Sequence, residues 1–488
     1  MPEYIGIDFG TTRSTVVIYR DDQDTRDTDA KIKRLGKPVL SIAAVDKSNG
    51  KCYYGIDAKS KISEEYDYIP SLKDLLCEKM EYDRNYGGVA VTRDSILKGY
   101  FEYIKTNVIK QPGELEIVMA VPNDFPVVRR CILRSAAEAA GFRIKTFITE
   151  PIAAFFASYS HLTGYNESAI LRNYENVAIF DWGGGTLDVT VMQRSGRIVK
   201  ELAKKRMDCA GNAIDERVAQ CVHQWISEKM GKNKSFEDMS LKTQNRMKIF
   251  VEGAKIKLND QQNVKSVMVS HGDYDDYGVV EQEITKESFN ACIEYIIDAA
   301  IETLRKTINE SKLGIGGIDK ILLVGGSSKL LLLQKKMKAE FGDKLLISSG
   351  DSDWGVSIGA ALLSATPGNF IVNQDISLNL CDDSKFPLIK KGEKISVYQE
   401  TPPTFYFGKV DDSAKAVFTF TGSEDIDKSG EKYLTIQTMN IWDESIQLDV
   451  SIDENMIVNV VGSCRGLPDS DRRWTYANLS CCYALPED

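Results

Sequence analysis

The sequence predicts an α/β chain in which two related lobes over residues 1–368 close on a shared cleft. A linker at 369–377 and a small antiparallel β-sandwich domain at 378–488 follow. Three observations carry that reading. Two glycine-rich turns of one design each follow an apolar strand and open on an aspartate. The first is Asp8-Phe9-Gly10-Thr11-Thr12, after Tyr4–Ile7; the second is Asp181-Trp182-Gly183-Gly184-Gly185-Thr186-Leu187-Asp188, after Val177–Phe180. A third glycine pair, Gly325-Gly326-Ser327, follows Ile321–Val324. Helical periodicity then stops after Ala365-Thr366-Pro367-Gly368, and alternation of period two replaces it.

The turns carry the chemistry. Glycine reaches backbone angles that set several N–H groups in one concave row, and it adds no side chain to block a phosphate. Threonine adds a hydroxyl beside that row. Aspartate at the strand end suits Mg²⁺, which prefers oxygen ligands and keeps much of its hydration. Strand–Asp–Gly–Thr–strand therefore reads as a phosphate hairpin. It is not a P-loop, since no Gly-Lys-Ser/Thr follows, nor the dinucleotide fingerprint, which opens a helix. One such turn alone is what any α/β protein uses for a tight bend; three in this order predict two lobes around a nucleotide.

The remaining elements follow in order. Runs at 4–7 and 14–19 flank the first turn as a hairpin, and Val39–Val45 with Cys52–Gly55 form another around Asn49-Gly50. Ile96, Leu97, Tyr100, Phe101 and Ile104 have helical spacing over 93–108, and a strand at Glu116–Val121 ends at Pro122. A helix at 126–140 opens on Pro126 and stops at Gly141; another runs from Pro151 to about His161. The second hairpin begins the second lobe, with helices near 212–230, 240–258 and 286–311. In the last, Phe289, Cys292, Ile293, Ile296 and Ile297 read as a core-facing stripe. Beyond residue 368, Ile446, Leu448, Val450 and Ile452 alternate with polar residues, and Gly392, Gly422, Gly430 and Gly462 mark turns.

Composition narrows the class. The 488 residues carry a net charge of −10 and show no basic stripe, which argues against nucleic acid as a partner. No apolar run of membrane length and no signal peptide is visible, so a cytoplasmic protein without a membrane partner is expected. Ten scattered cysteines without a CxxC pair fit reduced thiols. The three histidines, His161, His223 and His271, are far apart, which gives a histidine metal site or triad little support.

The three turns resemble the actin-like ATPase superfamily, whose two-lobed domain duplicates a ribonuclease H-like motif. Segments between them narrow the resemblance to the heat shock protein 70 kDa chaperone family. These are Ala120-Val121-Pro122-Asn123-Asp124-Phe125 with Arg129-Arg130, Ala136-Ala137-Glu138-Ala139-Ala140-Gly141-Phe142, Ile148-Thr149-Glu150-Pro151-Ile152-Ala153-Ala154, Val324-Gly325-Gly326-Ser327-Ser328 and Gly359-Ala360-Ala361. The resemblance implies ATP or ADP with Mg²⁺, and allows K⁺. It implies that Asp8 and Asp181 hold the metal through water. Gly10, Thr11, Thr12 and Arg13, with Gly183, Gly184, Gly185 and Thr186, resemble the two phosphate cradles. Lys73, Glu150, Thr186 and Asp188 stand where the family places its catalytic groups; Lys73 would hold the attacking water and the γ-phosphate. Gly211, Glu252, Lys255, Asn259, Gly325, Gly326, Ser327, Lys329 and Asp353 match the ribose and adenine side, and Pro122 and Arg130 match the interdomain relay. Lys73 also reads as a solvated helix residue, Glu252/Lys255 as an ordinary i,i+3 pair, Pro122 as a strand stop and Arg130 as a surface charge.

Departures limit the resemblance. The family stacks adenine between arginines, and Ile256 and Lys329 stand there instead. A guanidinium over a ring contributes ~0.5–2 kcal/mol, so weaker, less ADP-retentive binding is expected. The leucine run of the linker is replaced by Phe370-Ile371-Val372-Asn373-Gln374-Asp375-Ile376, and the chain ends at Asp488 with no counterpart of the helical lid, as in a divergent short member. The expected function is a slow ATPase of chaperone type that couples nucleotide state to an extended peptide or client protein. Its partners would be a J-domain co-chaperone and an exchange factor. A nucleotide-gated scaffold for one dedicated partner is the alternative, and a small-molecule kinase a weaker third.

Overall fold

The computed structural model describes residues 2–21, 31–77, 80–122, 125–159, 175–260, 263–347, 353–422, 433–439, 441–442, 444–467 and 469–486. Asn123-Asp124, His161 and Gly430, used above, lie outside them. The chain divides into two compact units.

The first unit (1–124, 132–193 and 201–365) holds two sheets of like topology. In the first lobe, β1 (Glu3–Phe9) and β2 (Arg13–Arg20) form the hairpin read from the sequence. With β3 (Ile32–Arg34), β4 (Val39–Leu40), β5 (Leu115–Val121) and β6 (Phe142–Thr149) they make the order β6-β5-β1-β2-β3, β4 also pairing β2. β1 is parallel to β5 and β5 to β6, whereas β1–β2 and β2–β3 are antiparallel. Ile5, Ile7, Val16, Val17 and Ile18 are all buried, so these strands read as apolar runs and not as alternation. Helix α1 (Arg93–Tyr103) starts at a capping box in which the Thr92 hydroxyl accepts from Ser95 N at 3.2 Å. The sequence run to 108 continues as a π-helical stretch, Ile104–Ile109. Helices α2 (Val127–Ala139) and α3 (Glu150–Tyr159) follow.

The second lobe repeats the plan. β7 (Asn176–Trp182), β8 (Leu187–Ser195), β9 (Ile198–Met207), β10 (Lys320–Val324) and β11 (Leu345–Ile347) lie in the order β11-β10-β7-β8-β9. The neighbours again run parallel, parallel, then antiparallel across the central hairpin. Helices α4 (Gly211–Met230), α5 (Leu241–Asp260) and α6 (Lys286–Glu310) share one apolar core with this sheet. Helix α7 (Leu331–Phe341) follows, and α8 (Gly355–Ala365) returns to the first lobe, where Thr15 Oγ1 donates to Ser357 Oγ at 2.8 Å. A Cβ on Gly359 would lie 1.9 Å from the Ala153 carbonyl of α3, so no larger residue fits that helix crossing.

The second unit comprises 125–131, 194–200 and 366–488. Its strands are β12 (Asn369–Val372), β13 (Ile376–Asn379), β14 (Lys385–Ile389), β15 (Thr404–Gly408), β16 (Lys415–Thr421), β17 (Tyr433–Gln437), β18 (Ser445–Ile452), β19 (Val458–Cys464), β20 (Arg472–Tyr476) and β21 (Cys481–Ala484). Two four-stranded antiparallel sheets, β14-β13-β16-β17 and β15-β18-β19-β20, contribute to one core in which Phe420 stacks on Trp474 at 3.8 Å. Residues 369–372, expected within a linker, form β12 instead. It pairs antiparallel with β21, Phe370 packs edge-on against Tyr483, and Val372 N donates to the Glu393 carbonyl at 2.9 Å. No helix among the described residues is long and apolar enough to cross a membrane.

Candidate functional site

The loops of both central hairpins and the turn after β10 line one cavity of about 250 Å³ in the first unit. Asp8 and Asp181 are the penultimate residues of β1 and β7, the corresponding first strands of the two hairpins, and both line the cavity. The turns touch. A Cβ on Gly184 would lie 1.8 Å from Thr12 Oγ1, and one on Gly185 would lie 2.6 Å from Thr11 Cγ2. Gly325 has φ +82°, and a Cβ there would meet the Trp182 carbonyl at 2.5 Å, so both conformation and space require glycine. Ser327 Oγ donates to the Gly183 carbonyl at 2.6 Å, and Asn212 N to the Gly184 carbonyl at 2.7 Å. The second cradle is thereby fixed by the third turn and the start of α4.

Carboxylates crowd the floor. Burial, with Glu150 alongside, raises the Asp8 and Asp181 carboxyls well above the usual range; Lys73 opposes the shift. Burial and Glu150 likewise raise Asp188, whose Oδ2 accepts from Thr186 Oγ1 at 2.8 Å. Lys73 Nζ lies 3.1 Å from Glu150 Oε1, both side chains 12% exposed. Lys73 is therefore not a solvated helix residue.

The sign of the linkage is testable. A carboxyl whose folded pKa is raised binds its proton more tightly in the folded state. That protein gains stability as pH falls through the raised pKa toward the unfolded value, and loses it on the way up. Asp8→Asn removes the charge that neutral pH imposes. The nucleotide-free variant is expected to melt a few degrees above the unmodified chain at pH 7, with the gap closing as pH approaches 4. Thermal melts across that range check it, and a gap independent of pH would contradict it.

The opposite end of the cavity is ion-paired. Lys255 Nζ meets Asp215 Oδ2 at 2.8 Å, and burial pushes the Asp215 carboxyl up to about 6 against that pairing. Lys329 Nζ meets Asp353 Oδ2 at 2.6 Å, beside a partly exposed Ile256. Glu252 lines the cavity, but its oxygens face Arg13 at 2.9 Å and Lys59 at 2.5 Å, bridging the two lobes. Asn259 donates to the Lys255 carbonyl at 2.7 Å and accepts from Leu331 N at 2.9 Å, so it opens α7. Asn212, Asp215 and Lys59 were not singled out from the sequence. The only signal was helical spacing for Asp215, one turn after Gly211 on the same face.

The relay residues fall in different units: Pro122 follows β5 in the first, and Arg130 belongs to the second. Burial lowers the Arg130 guanidinium, with Cys131 and Asp453 opposing, and its Nε is buried without a hydrogen bond, so it is no plain surface charge.

Two features fit a bound polyphosphate. Thr12 Oγ1 is buried without a hydrogen-bond partner at the contact of the two turns. The glycines of the turns let the backbones pack closer than any side chain allows, since a Cβ on Gly10 would meet the Arg13 carbonyl at 2.3 Å. Among the described residues no three carboxylate, histidine or cysteine groups converge as a metal cage. A donor set of two carboxylates suits Mg²⁺ that keeps its waters and takes its remaining oxygens from phosphate.

The comparisons agree with this geometry. The family described as Hsp70 protein matches residues 78–379. A chaperone protein DnaK from Metamycoplasma hominis is 26% identical over 366 residues, which cover 74% of this chain and 58% of that protein. The chain thus spans less than two thirds of that relative's length. A match over more than half of the sequence, together with a duplicated lobe and facing glycine turns, places the chain in the Hsp70 family.

Proposed function

We propose that the chain is an ATP-hydrolysing, chaperone-like switch. Hsp70 family members are ATPases, and the contact of two glycine turns around the buried, unpartnered Thr12 hydroxyl is the observation that carries the reading here. Gly183–Thr186 and Gly10–Thr12 would cradle the phosphates. Asp8 and Asp181 would hold Mg²⁺ through its waters, and the ion would neutralise charge on the phosphate oxygens. Lys73, held by Glu150, would position the attacking water and share the charge that develops on the γ-phosphate. Asp188, fixed by Thr186, would orient water on the other side. The products are ADP and inorganic phosphate. Ile256 and the Lys329–Asp353 pair supply no free guanidinium over the base, which favours quick nucleotide exchange.

The second unit would bind an extended peptide or client protein. We read its two sheets as a β-sandwich whose exposed Tyr406, Val417 and Tyr433 offer apolar contacts and whose edges allow strand addition. A J-domain co-chaperone and an exchange factor are the regulatory partners the family implies. A second reading, a nucleotide-gated scaffold with one dedicated partner, is favoured by β12. Pairing with β21 ties down a segment that a swinging linker would leave free. Phosphate release with and without unrelated unfolded peptides separates the two. Stimulation of about twofold or more supports the chaperone reading, and none supports the scaffold. A phosphorylated small-molecule acceptor would exclude both.

A further inference from the structure

Helices α4 and α5 meet at the cavity wall through one buried ion pair. Asp215 stands on α4 one turn after Gly211, and Lys255 on α5 one turn after Glu252; all four line the cavity. Lys255 Nζ donates to Asp215 Oδ2 at 2.8 Å and to the Gly211 carbonyl at 3.3 Å. Both ends of that contact are moored. Gly211 N donates to the Gly183 carbonyl at 3.2 Å, which ties the first turn of α4 to the second glycine turn. On α5, Asn259 Nδ2 donates to the Lys255 carbonyl at 2.7 Å. An ammonium carries three N–H donors, so these bonds leave one for a group inside the cavity. Asp215 is 8% exposed, and its Oδ1 is buried without a hydrogen-bond partner.

The pair is a poor brace for the fold. A buried ion pair stabilises only where attraction outweighs desolvation and every polar atom is matched, and Asp215 Oδ1 is not matched. We propose that Asp215 is a positioning residue for the nucleotide: its carboxylate holds the Lys255 ammonium against the first turn of α4, beside the second glycine turn, where the remaining N–H of Lys255 meets the ligand. This rests on the nucleotide reading given above. Without the carboxylate, the long lysine stem has to be ordered by the ligand itself, which weakens binding. Glu252 cannot take over, since its two oxygens accept from Arg13 and Lys59. Burial pushes the Asp215 carboxyl up to about 6, so desolvation outweighs the pull of Lys255 beside it. The charged groups that face it are Lys255 and Glu252 on α5 and Lys59 from the short helix Gly55–Lys59; the lysines lower the carboxyl and Glu252 raises it. A raised carboxyl withdraws stability as pH rises through that value. Asp215→Asn is therefore expected to fold and to melt no lower than the unmodified chain at pH 7.5.

The test is the Kd of the full-length chain for Mg·ADP, measured by calorimetry between pH 7.5 and pH 5. At pH 7.5, Asp215→Asn is expected to bind about tenfold more weakly than the unmodified chain. As pH falls, the unmodified carboxyl takes up its proton and releases Lys255, so the ratio of the two Kd values is expected to shrink to about twofold at pH 5. Protonation of Asp8 acts on both proteins and cancels in that ratio. Lys255→Met should lose about as much affinity as Asp215→Asn, and the double variant no more than either. A merely structural role for Asp215 would give a loss that is independent of pH and adds to that of Lys255→Met. Thermal melts confirm that the variants fold, and the pH dependence of the Asp215→Asn ratio decides if Lys255→Met does not. Asp215→Asn binding as tightly as the unmodified chain at pH 7.5, or a ratio that stays constant down to pH 5, overturns the proposal alone. A folded chain that binds no ADP at any pH overturns the nucleotide reading with it.

Discussion

Lys73→Ala is expected to lower steady-state ATP hydrolysis by about 10²–10³-fold while nucleotide stays bound. Lys73 opposes the upward shifts of Asp8, Asp181 and Asp188, and it sits 3.1 Å from Glu150. Without it, four acidic groups face the site where negative charge grows in the transition state. On the proposed reading, binding would be held largely by the glycine turns and their backbone N–H groups, which the substitution does not touch. The kinetic signature is therefore a loss of kcat with little change in nucleotide affinity. Phosphate release and nucleotide titration on the same preparation check it. Normal turnover in a folded variant would remove Lys73 from the mechanism.

Gly184→Ala is expected to act on the other quantity. The added Cβ would lie 1.8 Å from Thr12 Oγ1 and 2.5 Å from Thr12 Cβ, and neither distance is tolerable. Rotating the hydroxyl away does not help, because Thr12 Cβ is itself too close. The two turns must separate, and on the proposed reading each N–H row would then lose its aim at the phosphates. The Kd for ATP is expected to rise about 10- to 100-fold, equivalent to ~1.4–2.7 kcal/mol. The melting temperature of the nucleotide-free protein should change little, since the turn lies at the cleft and not in either core. Adding Thr12→Gly should restore the spacing and recover part of the affinity, the rest being lost with the hydroxyl. Unchanged affinity in Gly184→Ala would mean that the turns do not grip the ligand together.

The cavity wall formed by the glycine turns was legible in the sequence because its requirements are local. Gly10, Gly183, Gly184 and Gly185 sit beside their own aspartates and threonines, so a short window shows the whole device. The paired lobes were legible as a weak repeat of that window. Lys73 and Glu150 meet across a sequence separation of 77. Only the family resemblance placed them together, since neither has a spacing that points to the other. Asp215, Lys59 and the bridging of Glu252 escaped for the same reason: each depends on which helix faces which. The strand β12 escaped because its partner β21 lies more than a hundred residues further on. Nothing in Phe370-Ile371-Val372 distinguishes an apolar linker from an edge strand.

Phosphate release from Mg·ATP by the purified full-length chain, measured beside bound nucleotide, tests the central claim most directly. The account predicts slow release of inorganic phosphate with ADP as the other product. It also predicts loss of that release in Lys73→Ala with nucleotide still bound. A folded chain that binds no nucleotide, or that binds ATP and never releases phosphate, would contradict it.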